Sequence, residues 1–312
     1  MQRHPTRPAH GVSEHSGGLS GMRFEKWQAL GNDYLIVEHD QLPFPLTPAR
    51  ARLLCARHTG VGSDGVLLLS AAADPAHVAE LRIFNPDGSE AELSGNGARE
   101  AVLYLRRRGW TDRDEFTIRT ASGPVRPTVT GPLTCRLELA QAALQSKDFP
   151  SGPPDGAGEI DGWRFQHVSI GNPQCAIRVA DAATLAELDL ATLGPPIEAH
   201  ASFPNRTNVS WFAELEPGPP ARIRARIFER GVGETLSSGT GASGAAVAYV
   251  LAERERLLGG GSGRARVLVA LDGGELEVEV DSELRVILSG WALPVFGGSL
   301  SEEFLRELEQ AA

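Results

Sequence analysis

The sequence predicts a two-lobed α/β protein of the α+β kind. Each lobe is a curved, mostly antiparallel sheet wrapped around one central helix. Three observations predict it. First, Arg82–Ala101 and Arg226–Ala245 align without a gap at an offset of 144, with nine of twenty positions identical. An internal repeat of that period is far too long for a solenoid and suits one lobe per copy. Second, each copy runs from a strand-like apolar segment through a Gly-containing loop into Ser-Gly-x-Gly-Ala and a small-residue apolar run. Third, Gly241–Leu251 is apolar nearly all round, so that helix should be buried.

The elements follow in order. Residues 1–21 are polar, with His4, His10 and His15 and no apolar h-region, and are expected to be a disordered leader rather than a secretory signal. Met22–Glu38 reads as strand, Gly-Asn-Asp turn, strand. Thr47–His58 has helical spacing with Pro48 at its entry, and Gly60–Ser70 is a Gly-rich turn running into a buried strand. The first motif helix should extend to about Gly109. Asp114–Thr120 and Gly123–Thr130 alternate like a hairpin, and Cys135–Ala140 like a strand. Phe149–Gly162 reads as a loop. Arg164–Val179 then echoes the start, with a Gly171-Asn172-Pro173 turn lying 140 residues after Gly31-Asn32. Ala182–Leu193 reads as a helix, Ala199–Ala213 as a turn and strand, and Glu214–Pro220 as a hairpin loop. After the second motif helix come a Gly259–Gly263 turn, strands at Arg266–Ala270, Glu275–Val280 and Leu284–Leu288, and a helix at Ser301–Gln310. The lobe bounds expected are 22–135, completed by about 289–312, and 136–288.

Each motif places a Ser N-cap before a bare helix N-terminus, where free N–H groups and the positive dipole end favour an anion. Two such turns suggest two facing anion-binding ends at a pseudo-twofold axis. A formal charge of −10 without a basic run argues against nucleic acid or an anionic membrane surface as partner. No apolar stretch is long enough for a membrane-spanning helix. Cys55, Cys135 and Cys175 are odd in number and lack metal-type spacing, which suits a reducing compartment and no metal site.

At this point the chain resembles the diaminopimelate epimerases, of the PLP-independent racemase and epimerase superfamily. The stretches that carry the resemblance are FEKWQALGNDYLIVE, RHTGVGSDGVLLL, FNPDGSEAELSGNGAR, SIGNPQCAI, RTNVS and FERGVGETLSSGTGA, in the family's order over about residues 22–298. The resemblance implies a substrate site in the cleft between two pseudo-symmetric lobes. It also implies cytoplasmic inversion of an α-carbon without a cofactor, in lysine and cell-wall precursor synthesis. One side chain removes the α-proton and a second protonates the opposite face. It places the proton-transfer groups at Ser94 and Ser238. It places substrate contacts at Asn32, Asn85, Gly95, Asn96, Asn172, Asn208, Glu229, Arg230, Gly239 and Thr240. The partner implied is diaminopimelate, and a homodimer is what the resemblance suggests.

The family has cysteines where this chain has Ser94 and Ser238. A hydroxyl is a far weaker acid than a thiol and needs a neighbouring base. Where the family often has His after the Gly-Asn-Pro turn, this chain has Gln174, leaving Glu229 and His167 as candidate bases, with His167 also readable as a structural strand residue. Glu100 departs from the commonest family pattern as well. Three explanations stand open: a serine variant that still epimerises, drift to another isomerase or dehydratase reaction of the superfamily, or deliberate replacement of the cysteines. A silent amino-acid-binding homologue is the alternative outside enzymes.

Overall fold

A left-handed turn begins the fold. In the computed structural model, which describes residues 21–259 and 263–311, β1 (Arg23–Ala29) and β2 (Asn32–Glu38) are antiparallel across Leu30 and Gly31, both at positive φ. The expected leader lies, apart from Gly21, outside the described residues, as do residues 260–262 of the expected Gly259–Gly263 turn. Thr47 Oγ1 caps α1 (Pro48–Cys55) by accepting from the Arg50 N–H. β3 (Val66–Ser70) lies parallel to β2, β4 (Ala79–Phe84) antiparallel to β3, and β5 (Glu90–Ala91) antiparallel to β4. Then comes α2 (Gly95–Arg107). β6 (Ile118–Thr120) is parallel to β4, and β7 (Gly123–Gly131) and β8 (Thr134–Gln141) follow as antiparallel hairpin strands.

The same succession recurs. β9 (Ala157–Ile160), β10 (Trp163–Ser169) and β11 (Pro173–Arg178) pair antiparallel in turn. After α3 (Ala182–Glu187) and α4 (Leu190–Glu198), β12 (Asn208–Glu216) lies parallel to β11. β13 (Ala221–Glu229) and β14 (Gly233–Thr235) are the counterparts of β4 and β5, and α5 (Gly239–Ala252) is the counterpart of α2. α6 (Arg254–Leu258) leads to β15 (Arg264–Leu271), parallel to β13, and β16 (Gly274–Asp281) and β17 (Arg285–Trp291) complete the copy. β18 (Leu293–Ser299) returns to pair with β1, as β9 pairs with β10, and α7 (Glu302–Gln310) ends the chain's described elements. The two halves join where β8 and β17 pair antiparallel, with Leu137 opposite Leu288.

Burial explains the layers. α2 and α5 share one apolar cluster, which includes Ala98, Val102, Leu105, Ala242 and Val247. α5 is buried from Gly239 through Val250, as its all-round apolar composition predicts. A second cluster, with Leu35, Leu54, Phe84, Leu305 and Leu308, fills the space under α1 and α7. A third, with Phe149, Phe165, Phe203 and Trp211, lies against α3 and α4. The result is a two-lobed α/β fold with mixed sheets and a central helix in each lobe.

Three readings of the sequence need correction. The Pro- and Gly-rich stretch expected as a loop contains β9, because Asp161 and Gly162, both at positive φ, close a two-residue hairpin onto β10. The helix expected at Ala182–Leu193 is two helices, capped separately by Asp181 and Asp189, whose carboxylates accept from the Thr184 and Thr192 N–H groups. β18 was not anticipated; its ladder partner, β1, is the first strand of the fold, which no local pattern reveals.

His167 packs against Phe149 and Phe203 of the third cluster. It is fully buried, its ring centroid lies 5.2 Å from that of Phe149, Nε2 meets Ser146 Oγ at 3.0 Å, and Nδ1 has no partner among the described residues. Burial pushes its pKa from 6.5 down to about 4. The unfolded chain therefore takes up a proton below pH 6.5 that the folded one refuses, and stability falls as pH drops towards 4. The full effect is roughly 3 kcal/mol. His167→Phe should flatten this loss, measured as Tm between pH 7 and about 4; an unchanged acid slope would rule out His167 as its source.

Candidate active site

The repeated identities have separable tasks. Arg82 donates to Glu90 from Nε (2.9 Å) and Nη2 (2.8 Å), and Arg226 donates to Glu234 from Nε at 2.8 Å. These pairs pin the β4–β5 and β13–β14 turns that lead into the two helices. Ser94 and Ser238 then cap them: Ser94 Oγ accepts from Gly97 N–H at 3.0 Å and Ser238 Oγ from Gly241 N–H at 3.2 Å. The fourth amide of each helix bonds the cap carbonyl, Ala98 to Ser94 and Ala242 to Ser238. That leaves the N–H groups of Gly95, Asn96, Gly239 and Thr240 with no acceptor inside their own helices.

The two helix ends meet. A Cβ on Gly95 would lie 2.9 Å from the Cα of Gly239, and one on Gly239 would lie 2.9 Å from the Cα of Gly95. Leu288 Cδ2 sits at 3.2 and 2.9 Å from the same two positions. Glycine is required here for close approach of backbone to backbone. The four free amides therefore converge, and both dipoles present their positive ends to one place.

Polar side chains gather around this meeting point from both halves. Asn96 Nδ2 donates to Asn32 Oδ1 at 3.2 Å and to Ser237 Oγ at 2.9 Å, which ties α2 to the approach to α5. Asn32 Nδ2 donates to Asp64 Oδ2 at 3.0 Å, and Arg57 pairs with the other oxygen at 2.7 Å. On the far side Asn172 Nδ2 donates to Thr240 Oγ1 at 3.2 Å, and Gln174 Nε2 donates to Asn172 Oδ1 at 2.7 Å. Asn208 accepts from the Arg230 N–H at 2.9 Å and donates to the Pro173 carbonyl at 3.0 Å. The Arg230 guanidinium donates to the Asn205 carbonyl at 3.0 Å. Asn85 is engaged within its own turn, donating to Ser89 Oγ at 2.9 Å.

Glu229, at the end of β13, accepts from Thr235 Oγ1 at 2.7 Å, and the Ser238 hydroxyl is its other hydroxyl neighbour. Burial holds its carboxyl above the usual carboxylate range, and the two hydroxyl donors oppose that only in part. Glu229, not His167, is thus the titratable group in contact with Ser238. Ser94 has a different neighbour: Tyr34 Oη donates to Ser94 Oγ at 3.2 Å. Glu100, one turn into α2, is fully buried with neither oxygen hydrogen-bonded among the described residues. Burial drives its pKa well up, and the Arg99 charge and the nearby Tyr34 amide offset this only partly.

The sequence reading missed Tyr34, Asp64 and Ser237. Tyr34 sits within an apolar strand run and carries no polar signal of its own. Burial raises all three thiols, Cys135 to about 12, so none is an activated thiolate. Among the described residues no three His, Cys, Asp or Glu side chains converge as a metal site, and no helix is long and apolar enough to cross a membrane.

Comparison with known proteins places this architecture. Relatives named diaminopimelate epimerase from Synechococcus sp. (strain JA-2-3B'a(2-13)) and Desulforudis audaxviator are 38% and 39% identical, each over 89% of this chain and 98% of its own. Among solved structures, a phenazine biosynthesis protein of the PhzF family from Bacillus anthracis shares the fold at a TM-score of 0.67 and 18% identity, over 90% of this chain and 99% of its own. A hydroxyproline epimerase from Agrobacterium vitis does so at 0.62 and 16%, over 89% and 90%. The diaminopimelate epimerase family model matches residues 24–134 and 166–290, and with these relatives it shows that the chain belongs to the diaminopimelate epimerase family.

Proposed function

We propose that this chain inverts an amino-acid α-carbon without a cofactor, and that its substrates are LL- and meso-diaminopimelate. The observation that carries the reading is the meeting of two Ser-capped helix N-termini at Gly95 and Gly239. The amides of Gly95, Asn96, Gly239 and Thr240 suit the carboxylate next to the reacting carbon. Fixed N–H groups aimed at one carboxylate stabilise the charge that develops when the α-proton leaves. Ser94 and Ser238 flank that position from opposite halves of the chain. Asn32, Asn85, Asn172, Asn208 and Arg230 supply contacts for the rest of the molecule, with Arg230 suited to a distal carboxylate.

In this reading Ser238 takes the α-proton as its own proton passes to Glu229, and Ser94 protonates the other face. Glu229 answers the weakness of the hydroxyl. A carboxyl held above its ordinary pKa is a stronger base than a solvated one. The names of the relatives favour diaminopimelate over other amino acids.

Incubation with LL-diaminopimelate in D₂O should yield the meso isomer carrying deuterium at one α-carbon. Binding without exchange would overturn the enzymatic reading and leave an amino-acid-binding homologue. Glu229→Gln should lower kcat by about 10²–10⁴-fold. Glu229 acts as a base, so wild-type activity should fall as pH drops through its raised pKa, and the glutamine variant should lack that acid limb. The Ser94→Cys, Ser238→Cys double variant should exchange deuterium at least as fast as the wild type, because a helix N-terminus lowers a thiol pKa; no exchange in either protein would count against the substrate. Gly239→Ala should separate the two helix ends, costing about 1–3 kcal/mol in stability by overpacking. Its chemical denaturation curve and its deuterium exchange should both suffer.

A further inference from the structure

We propose that Tyr34 is the proton-bearing partner through which Ser94 acts, so that the two sides of the cleft are chemically unlike: a phenol stands behind Ser94 and a carboxylate behind Ser238. This inference rests on the epimerase reading above.

The hydrogen-bond directions carry it. Ser94 Oγ accepts twice, from Gly97 N–H at 3.0 Å and from Tyr34 Oη at 3.2 Å. A hydroxyl oxygen has two acceptor sites and one proton. With both sites filled, what Ser94 has left to offer is its proton. Ser238 Oγ accepts one hydrogen bond, from Gly241 N–H at 3.2 Å, and the Glu229 carboxylate is the neighbour placed to take its proton. What Ser238 has left is a lone pair. One hydroxyl is set to give and the other to take.

The seat of Tyr34 is built for this contact. The residue is 5% exposed on β2, and a Cβ at Gly65 would come within 2.5 Å of its ring. The titratable groups facing it are Glu100 on α2, Glu229 on β13 and Asp64 before β3. Burial, above all, holds the phenol protonated, so it rests as a donor.

The step balances. As the new Cα–H bond forms, the Ser94 O–H bond breaks. A new Ser94 O–H bond forms with the proton of Tyr34, whose O–H electron pair stays behind as phenolate. On the opposite face the old Cα–H bond breaks, Ser238 takes that proton, and the former Ser238 proton rests on Glu229. Charge moves from Glu229 to Tyr34, and no free alkoxide is formed. The reverse reaction returns both protons.

The test is Tyr34→Phe, which removes only the oxygen, assayed in D₂O from each stereoisomer separately. The α-proton of one isomer faces Ser238. From that isomer the variant should still exchange deuterium with retention, while inversion falls by about 10²-fold or more. From the other isomer exchange and inversion should fall together. KM should change little, and Tyr34→Trp should not restore inversion. Inversion at the wild-type rate in Tyr34→Phe would overturn the inference while leaving the epimerase reading intact. Equal loss of exchange from both isomers would assign Tyr34 a merely structural role and overturn it too. A wild-type protein that exchanges neither isomer would overturn the epimerase reading and this inference together.

Discussion

The contact between Gly95 and Gly239 is the constraint on which the rest of the structure depends. Two helices that meet N-terminus to N-terminus bring like partial charges together, an arrangement that disfavours itself. Something must hold them there. The antiparallel pairing of β8 with β17 and the single apolar cluster shared by α2 and α5 do so. Leu288 serves both, since it lies in the β8–β17 ladder opposite Leu137 and touches both glycine positions. The unfavourable electrostatics is then a feature with a use. Converging free amides that cannot relax away from one another lower the energy of an anion placed between them.

The two copies keep the frame and vary the chemistry. Four residues after each glycine, a side chain bonds back to its carbonyl: Arg99 Nη1 to Gly95 at 3.0 Å and Ser243 Oγ to Gly239 at 2.8 Å. One is a fully buried cation and the other a small hydroxyl, yet both hold the same first turn. Arg99 also fixes the Asn96 carboxamide at 2.7 Å, which in turn reaches Asn32 and Ser237. Thr240, the counterpart of Asn96, instead accepts from Asn172. Equivalent positions thus point different polar groups at the same centre.

Much of this was legible from residue types alone, for a physical reason. Glycines at a backbone contact, a Ser N-cap and an Arg–Glu hairpin pair are all local devices, so Gly95, Ser94 and the Arg82–Glu90 pair repeat visibly 144 residues later. What stayed hidden depends on partners distant in sequence. Tyr34 reads as one more apolar strand residue, because its oxygen matters only once α2 sets Ser94 beside it. Glu100 reads as an ordinary helix glutamate, and only tertiary packing makes it fully buried. β18 and β9 escaped because a strand's identity lies in its ladder, and Gly- and Pro-rich composition conceals a ladder well. His167 was ambiguous for the same reason. Alternation puts it on one face of β10 but does not say which face meets the aromatic cluster.

Replacing a thiol by a hydroxyl changes what the surroundings must do. A thiol near a helix N-terminus can carry the negative charge itself. A hydroxyl cannot do so cheaply, so the charge must come to rest on another group. Around Ser238 that group is Glu229, whose burial raises its affinity for a proton. Around Ser94 the group within hydrogen-bond reach is the Tyr34 phenol. Tyr34 is buried by the packing that holds the helices together, while Glu229 keeps partial exposure. In the proposed reaction the proton inventory of the site extends beyond the two hydroxyls to Glu229 and Tyr34. The buried Glu100 then matters as well: ionised, it would add a negative charge next to the place where a phenolate must form, and burial that keeps it protonated removes that repulsion.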